Sequence, residues 1–132
     1  MNPISPQLRT GTIGELLVQI RLLQYGVQAA PPLKDSGNDL IAVKEEVFKA
    51  IQVKSTRTAC FSKQDLPEFY HILAVVQLKD GDNGIELDKS EVFLIPKNDV
   101  HGLPLQISNL DRRYKITQLN VDNLFDARRC RR

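Results

Sequence analysis

Cysteine and histidine are both scarce in this chain, with two of each in 132 residues. Cys60 and Cys130 form no CxxC pair, and His71 and His101 do not complete a ligand set, so a structural zinc site is excluded. No apolar run approaches the roughly 18 residues that span a bilayer, which excludes a transmembrane helix, and no membrane partner is expected. Met1–Thr10 shows no basic segment followed by an apolar one, and so no export signal. With so few cysteines, the expected compartment is a reducing cytoplasm. Neither GxGxxG nor GxxxxGK[ST] occurs, so a nucleotide cofactor has no support. There is no internal repeat and no low-complexity segment.

The composition is that of a soluble globular protein, 42% hydrophobic and 26% charged. The length fits a single domain over residues 1–132, with a basic tail at about 126–132. Such a chain buries roughly two thirds of its extended surface on folding, enough for a core. The net charge of +2 hides an asymmetry. Residues 1–111 carry 11 Lys/Arg against 14 Asp/Glu, whereas residues 112–132 carry 7 against 2. A basic end on a slightly acidic body is either a handle for a polyanion or a solvated tail.

Thr12–Tyr25 reads as an amphipathic helix, with Ile13, Leu16, Leu17, Ile20 and Leu23 at three- and four-residue spacing and Gly26 as its stop. Val27–Ala30 reads as a short strand ended by Pro31-Pro32. Lys34–Asn38 is loop-like. Asp39–Val43 and Val47–Lys54 are β-rich runs that pair as an antiparallel hairpin. Ser62–Leu66 opens a second helical stretch, extending at most to His71. Ile72–Leu78 fits a buried strand, though period alone leaves a helix open. Asp80–Gly84 is a turn, and Val92–Ile95 is a buried strand stopped by Pro96. Tyr114–Leu119 alternates like a strand, and Val121–Arg129 is a final helix or tail. This order predicts an α/β fold, a mixed central sheet flanked by helices.

The chemistry concentrates in residues 39–54. Gln52 and Lys54 leave one face of their strand while Ile51 and Val53 leave the other. With Glu45-Glu46 as the turn, facing residues sum to 91, and Asp39 lies across from Gln52 on the face that carries Lys54. Glu-Glu is a poor two-residue turn, and a one-residue slip would separate the faces. Ionised aspartate and an amide oxygen are hard ligands suited to Mg²⁺, and a nearby lysine can stabilise charge on a phosphate. Together these are the equipment for hydrolysing a phosphodiester.

These residues, in this order, resemble the PD-(D/E)XK nuclease superfamily. Gly14-Glu15 stands on the helix, followed by Gly37-Asn38-Asp39-Leu40 and Ile51-Gln52-Val53-Lys54-Ser55. The likeness covers about residues 9–57 and points to the branch of Holliday-junction resolvases and intron-encoded homing endonucleases with a Gln-x-Lys motif. It implies a three-layer, restriction-endonuclease-like sandwich and a Mg²⁺-dependent deoxyribonuclease in which a metal-activated water attacks DNA, with Mn²⁺ able to substitute. Glu15, Asp39, Gln52 and Lys54 are then the catalytic set, with metal held by Asp39, Gln52, the Val53 carbonyl and Glu15. It also implies a homodimer or homotetramer. Two positions depart from the pattern: Asn38 replaces a proline, and Gln52 replaces an acid and gives the metal less charge.

Ser55, Thr56 and Arg57, just past Lys54, are candidates for phosphate contacts, as are Arg112, Arg113 and Lys115 in the basic end. Plainer readings stand beside these. Thr12 and Glu15 fit a helix capping box. Asp39 fits a turn, and Gln52 and Lys54 fit a solvated sheet face. His71 reads as a core or edge residue, His101 as a loop residue and Cys60 as a buried thiol. The alternative function is a catalytically inactive nuclease-fold module that binds DNA or a protein partner. A third is a subunit of a larger complex, for instance in defence against phage or mobile elements.

Overall fold

The computed structural model describes residues 4–33, 37–126 and 128. The basic tail and the loop before Gly37 fall largely outside them, as does Cys130. Helix α1 runs Pro6–Gln24 and begins well before Thr12. Ser5 caps it, its Oγ accepting the Leu8 N–H at 3.1 Å, and Pro6 occupies the first turn, where its missing N–H costs nothing. Thr12 is therefore inside the helix, and the expected Thr12–Glu15 capping box does not form. Gly26 ends the helix with φ 84°, in the left-handed region that favours glycine.

The buried face of α1 also differs from the expected stripe. Gly14, Leu17, Val18 and Leu22 face inward. Leu16, Ile20 and Leu23 stay 53%, 53% and 63% exposed. The cause is Gly14: a Cβ there would stand 2.7 Å from Ser55 Cβ and closer still to its Oγ. Only glycine lets the helix approach the sheet this closely, and that contact sets the helix rotation.

Among the described residues seven strands follow in order: β1 Gln28–Ala30, β2 Leu40–Lys44, β3 Val47–Thr56, β4 Ile72–Gln77, β5 Asp80–Gly81, β6 Gly84–Ile85 and β7 Glu91–Pro96. Strands β5 and β6 form a small ribbon at the predicted turn. The others make a mixed sheet in the order β1-β2-β3-β4-β7, with β3 and β4 parallel and the remaining pairs antiparallel. The β2–β3 hairpin has the expected register: Leu40 faces Ile51 and Lys44 faces Val47. Glu45 supports its tight turn at φ 55°, a conformation that costs a non-glycine residue about 1–2 kcal/mol.

Each face of the sheet buries its own core. Leu17, Val18 and Leu22 of α1 pack on Ile51, Val53, Ala74 and Val76, joined by Val121 and Phe125. Val121 belongs to helix α3, Gln118–Leu124. On the opposite face, Leu73, Val75, Phe93 and Ile95 lie under Phe61, Tyr70, Val100, Ile107 and Tyr114. Much of that second cover is irregular chain, with the one-turn helix α2, Lys97–Val100. The result is a mixed sheet flanked by helices. No described helix is long and apolar enough to cross a membrane.

Three local expectations are corrected. Residues 62–66 form a turn rather than a helix. Pro67 disfavours helical backbone just before it, and Asp65 sits at φ 60°. Tyr114–Leu119 is not a strand: a 3₁₀ turn ends at Tyr114, and Thr117 caps α3 by accepting the Asn120 N–H at 3.1 Å. Only an isolated bridge joins Phe93 to Lys115. Cys60 is exposed, not buried. His71 is half-buried at the start of β4, where its Nδ1 accepts the Ala50 N–H at 2.9 Å.

Candidate active site

Strands β2 and β3 stop pairing regularly just beyond Leu40 and Ile51. There the Asp39 N–H donates to the Ile51 carbonyl at 3.2 Å, one residue short of the strict continuation opposite Gln52. The Val53 N–H, left without a ladder partner, donates to Asp39 Oδ2 at 2.8 Å. The carboxylate is thereby pinned to the middle of the Gln52–Val53–Lys54 segment. This is a local consequence of the strands splaying apart, because a buried N–H must find an acceptor.

Gln52 and Lys54 share the face of Leu73 and Val75, their lateral partners on β4. Gln52 Oε1 is buried and has no hydrogen-bond partner. An orphaned amide oxygen of this kind costs about 1–3 kcal/mol, which a ligand that accepts its lone pair would recover. Lys54 Nζ donates to the Gln64 carbonyl at 2.7 Å, leaving two of its three N–H groups for other acceptors. Glu15 stands on α1 beside Gly14. Burial first, then the charge of Asp39, raises its carboxyl above the ordinary value of 4.5. Glu15 feels the Asp39 charge from α1, which packs on the Ile51 and Val53 face of β3, whereas the side chains of Gln52 and Lys54 leave the opposite face.

A divalent ion at this site would have to draw on few charged donors. Among the described residues no three His, Cys, Asp or Glu side chains cluster closely enough to hold a metal. Glu15 and Asp39 would have to be completed by neutral oxygens, the Gln52 amide and the Val53 carbonyl. Hard oxygens with few charges suit Mg²⁺, which keeps several waters and rarely occupies an all-protein cage.

The predicted phosphate contacts divide. Ser55 Oγ is buried against Gly14 without a partner. Thr56 Oγ1 lies 3.0 Å from Thr58 Oγ1 at an exposed strand end, and Arg57 stands 3.8 Å from Asp80. Arg112 and Lys115 share Glu91, at 3.1 and 3.9 Å. Arg113 donates to the Tyr114 hydroxyl at 2.9 Å, which in turn donates to Asp99 at 2.8 Å. Arg112 and Arg113 border a groove of about 750 Å³ that also takes in Lys49, Asn98 and Asn120. Glu15, Asp39, Gln52 and Lys54 do not line that groove.

One group that holds Lys54 has no mark in the sequence, the Gln64 carbonyl, because it carries no side-chain signal. Asn38, which stands where the resembled pattern has proline, is buried with an unpartnered Oδ1.

Comparison with solved structures finds the bacterial homing endonuclease I-Ssp6803I, with a TM-score of 0.54 and 18% sequence identity over 89% of this chain and 86% of that one. At that identity the likeness is one of fold. No protein-family model matches the chain, and sequence comparison with curated proteins gives no match.

Proposed function

We propose that this chain is a Mg²⁺-dependent endonuclease of PD-(D/E)XK type that hydrolyses DNA phosphodiester bonds. The observation that carries the reading is the Asp39–Val53 hydrogen bond, which brings the Asp39 carboxylate onto the strand of Gln52 and Lys54. The fold shared with a homing endonuclease supports it.

Glu15, Asp39, Gln52 and the Val53 carbonyl would hold the ion. When bound, Mg²⁺ supplies Lewis-acid charge to the scissile phosphate and makes water acidic enough to attack at neutral pH. Lys54, tethered through one N–H, directs the other two at the phosphate and stabilises charge that builds there. The Val53 N–H keeps the Asp39 carboxylate from swinging away. Mn²⁺ would substitute, since it takes the same oxygen donors.

Thr56, Arg57, Arg112, Arg113 and Lys115 would meet backbone phosphates, with Ser55 serving the helix contact first. The acidic partners of Arg57, Arg112 and Lys115 sit in partly exposed ion pairs worth about 0–1 kcal/mol, so exchanging them for phosphate costs little. Binding would be salt-sensitive and largely indifferent to sequence. A break in both strands needs two sites. The exposed Leu16, Ile20 and Leu23 beside edge strand β1 offer an uncharged surface for a homodimer or homotetramer. The cytoplasm is the compartment this reading assumes.

A second reading is favoured by Gln52 itself. A neutral amide where an acid would bind metal more strongly suits a nuclease-fold module that holds DNA or a protein without cutting. Cleavage of supercoiled, linear, branched and single-stranded DNA, each with Mg²⁺, Mn²⁺ and EDTA, separates the two. Metal-dependent cutting of any of them supports the enzyme, and binding with no cutting on all four supports the module.

A further inference from the structure

A lysine on a strand is a poor catalytic group unless its long side chain is held, and Lys54 is held by a backbone carbonyl in a loop. That carbonyl, on Gln64, is only as well placed as the turn that carries it. The tip of the turn is exposed at Gln64 and Asp65, while Leu66 at its end packs against the second core. On the other side of the tip the preceding residue ties the turn down. Lys63 Nζ donates to three carbonyls, Val100 at 3.3 Å, His101 at 3.2 Å and Leu103 at 3.0 Å, which uses all three of its N–H groups. These carbonyls lie at the end of α2 and in the chain after it, on the cover of the second core. Two further features lock the turn: the Gln64 N–H donates to Ser62 Oγ at 3.1 Å, and Asp65 adopts φ 60°.

We infer that Lys63 is a positioning residue for Lys54. Its ammonium staples the 62–66 turn to the Val100–Leu103 segment, and the stapled turn presents the Gln64 carbonyl that aims the Lys54 ammonium. Two adjacent residues thus divide the work, a side chain that anchors and a carbonyl that aims. The significance for catalysis rests on Lys54 serving the nuclease reaction proposed above. The mechanical link from Lys63 to Lys54 does not, and it can be tested without any substrate.

The test is side-chain relaxation at the Lys54 Cε by NMR, with exposed Lys79 as the internal reference, in the wild type, Lys63→Met and Lys63→Arg. In the wild type Lys54 should be markedly more ordered than Lys79. Lys63→Met should cut its order parameter by about half, toward the Lys79 value, while core amides keep their shifts, and Lys63→Arg should restore most of it. If Lys63→Met loses the fold, Asp65→Pro moves the same carbonyl without touching Lys63, because proline cannot adopt φ 60°. The same loss at Lys54 is then expected. Lys54 order unchanged in whichever of these variants folds overturns the inference. In the cleavage assay, Lys63→Met should lower kcat about tenfold with KM within twofold, and Lys63→Arg should recover it. A wild type that cuts nothing defeats the nuclease reading but leaves the relaxation result to decide the link.

Discussion

Asp39 and Val53 are joined by a 2.8 Å hydrogen bond from backbone to carboxylate at the point where two strands part company. One bond serves both fold and site. It satisfies an N–H that the sheet abandons, and it fixes the acid beside the Gln-Val-Lys segment. The two roles separate by substitution. Asp39→Asn keeps an oxygen for the Val53 N–H and should change stability little while abolishing Mg²⁺ binding in calorimetry. Asp39→Ala leaves the N–H unpaired and should cost about 1–3 kcal/mol in urea unfolding.

Glu15 should be a cost to the empty protein. Its folded-state carboxyl is raised above 4.5 by burial and by Asp39, so its contribution is favourable below that value and is lost as pH rises through the higher folded-state pKa. Glu15→Gln should therefore raise Tm at pH 7 in EDTA, and the gain should fade toward pH 4. Added Mg²⁺ should raise Tm more in the wild type than in the variant. A Tm difference that does not change with pH would contradict this assignment.

His71 makes the opposite prediction. Burial first, then the charges of Lys49 and Lys97, lowers its pKa below 6.5, and its Nδ1 must stay unprotonated to accept the Ala50 N–H. The stability it confers is present above pH 6.5 and lost as pH falls through the lower folded-state value. Urea midpoints at pH 7.5 and 5 should fall further for the wild type than for His71→Phe, which cannot titrate. The variant should be the weaker of the two at pH 7.5, because its Ala50 N–H is unpaired.

Gly14 and Ser55 should be energetically coupled. Gly14→Ala drives a methyl into Ser55 and should destabilise by about 1–3 kcal/mol. Ser55→Ala removes a buried hydroxyl that has no partner and should be neutral or stabilising. Ser55→Gly should recover much of the Gly14→Ala loss in the double variant, and strictly additive losses would contradict the contact.

The hairpin was legible because strand alternation and a two-residue turn leave one register that buries Leu40, Ala42, Ile51 and Val53 together. Gln52 and Lys54 followed from the same alternation. The rotation of α1 was not legible, because leucines lie on both sides of the helix and a glycine contact decides which side goes in. Nor was the 62–66 turn, whose anchor is a lysine reaching carbonyls nearly forty positions away. The tether on Lys54 escaped for a related reason: any residue has a carbonyl, so Gln64 bears no mark of its role.

Supercoiled plasmid incubated with wild type, Lys54→Ala and Gln52→Glu, in Mg²⁺ and in EDTA, decides whether Lys54 serves a metal-dependent nuclease. Nicking or linearisation is expected from the wild type in Mg²⁺ alone, none from Lys54→Ala despite retained DNA binding, and activity at lower Mg²⁺ concentration from Gln52→Glu. Equal cutting by the wild type and Lys54→Ala, or cutting that survives EDTA, would contradict that role.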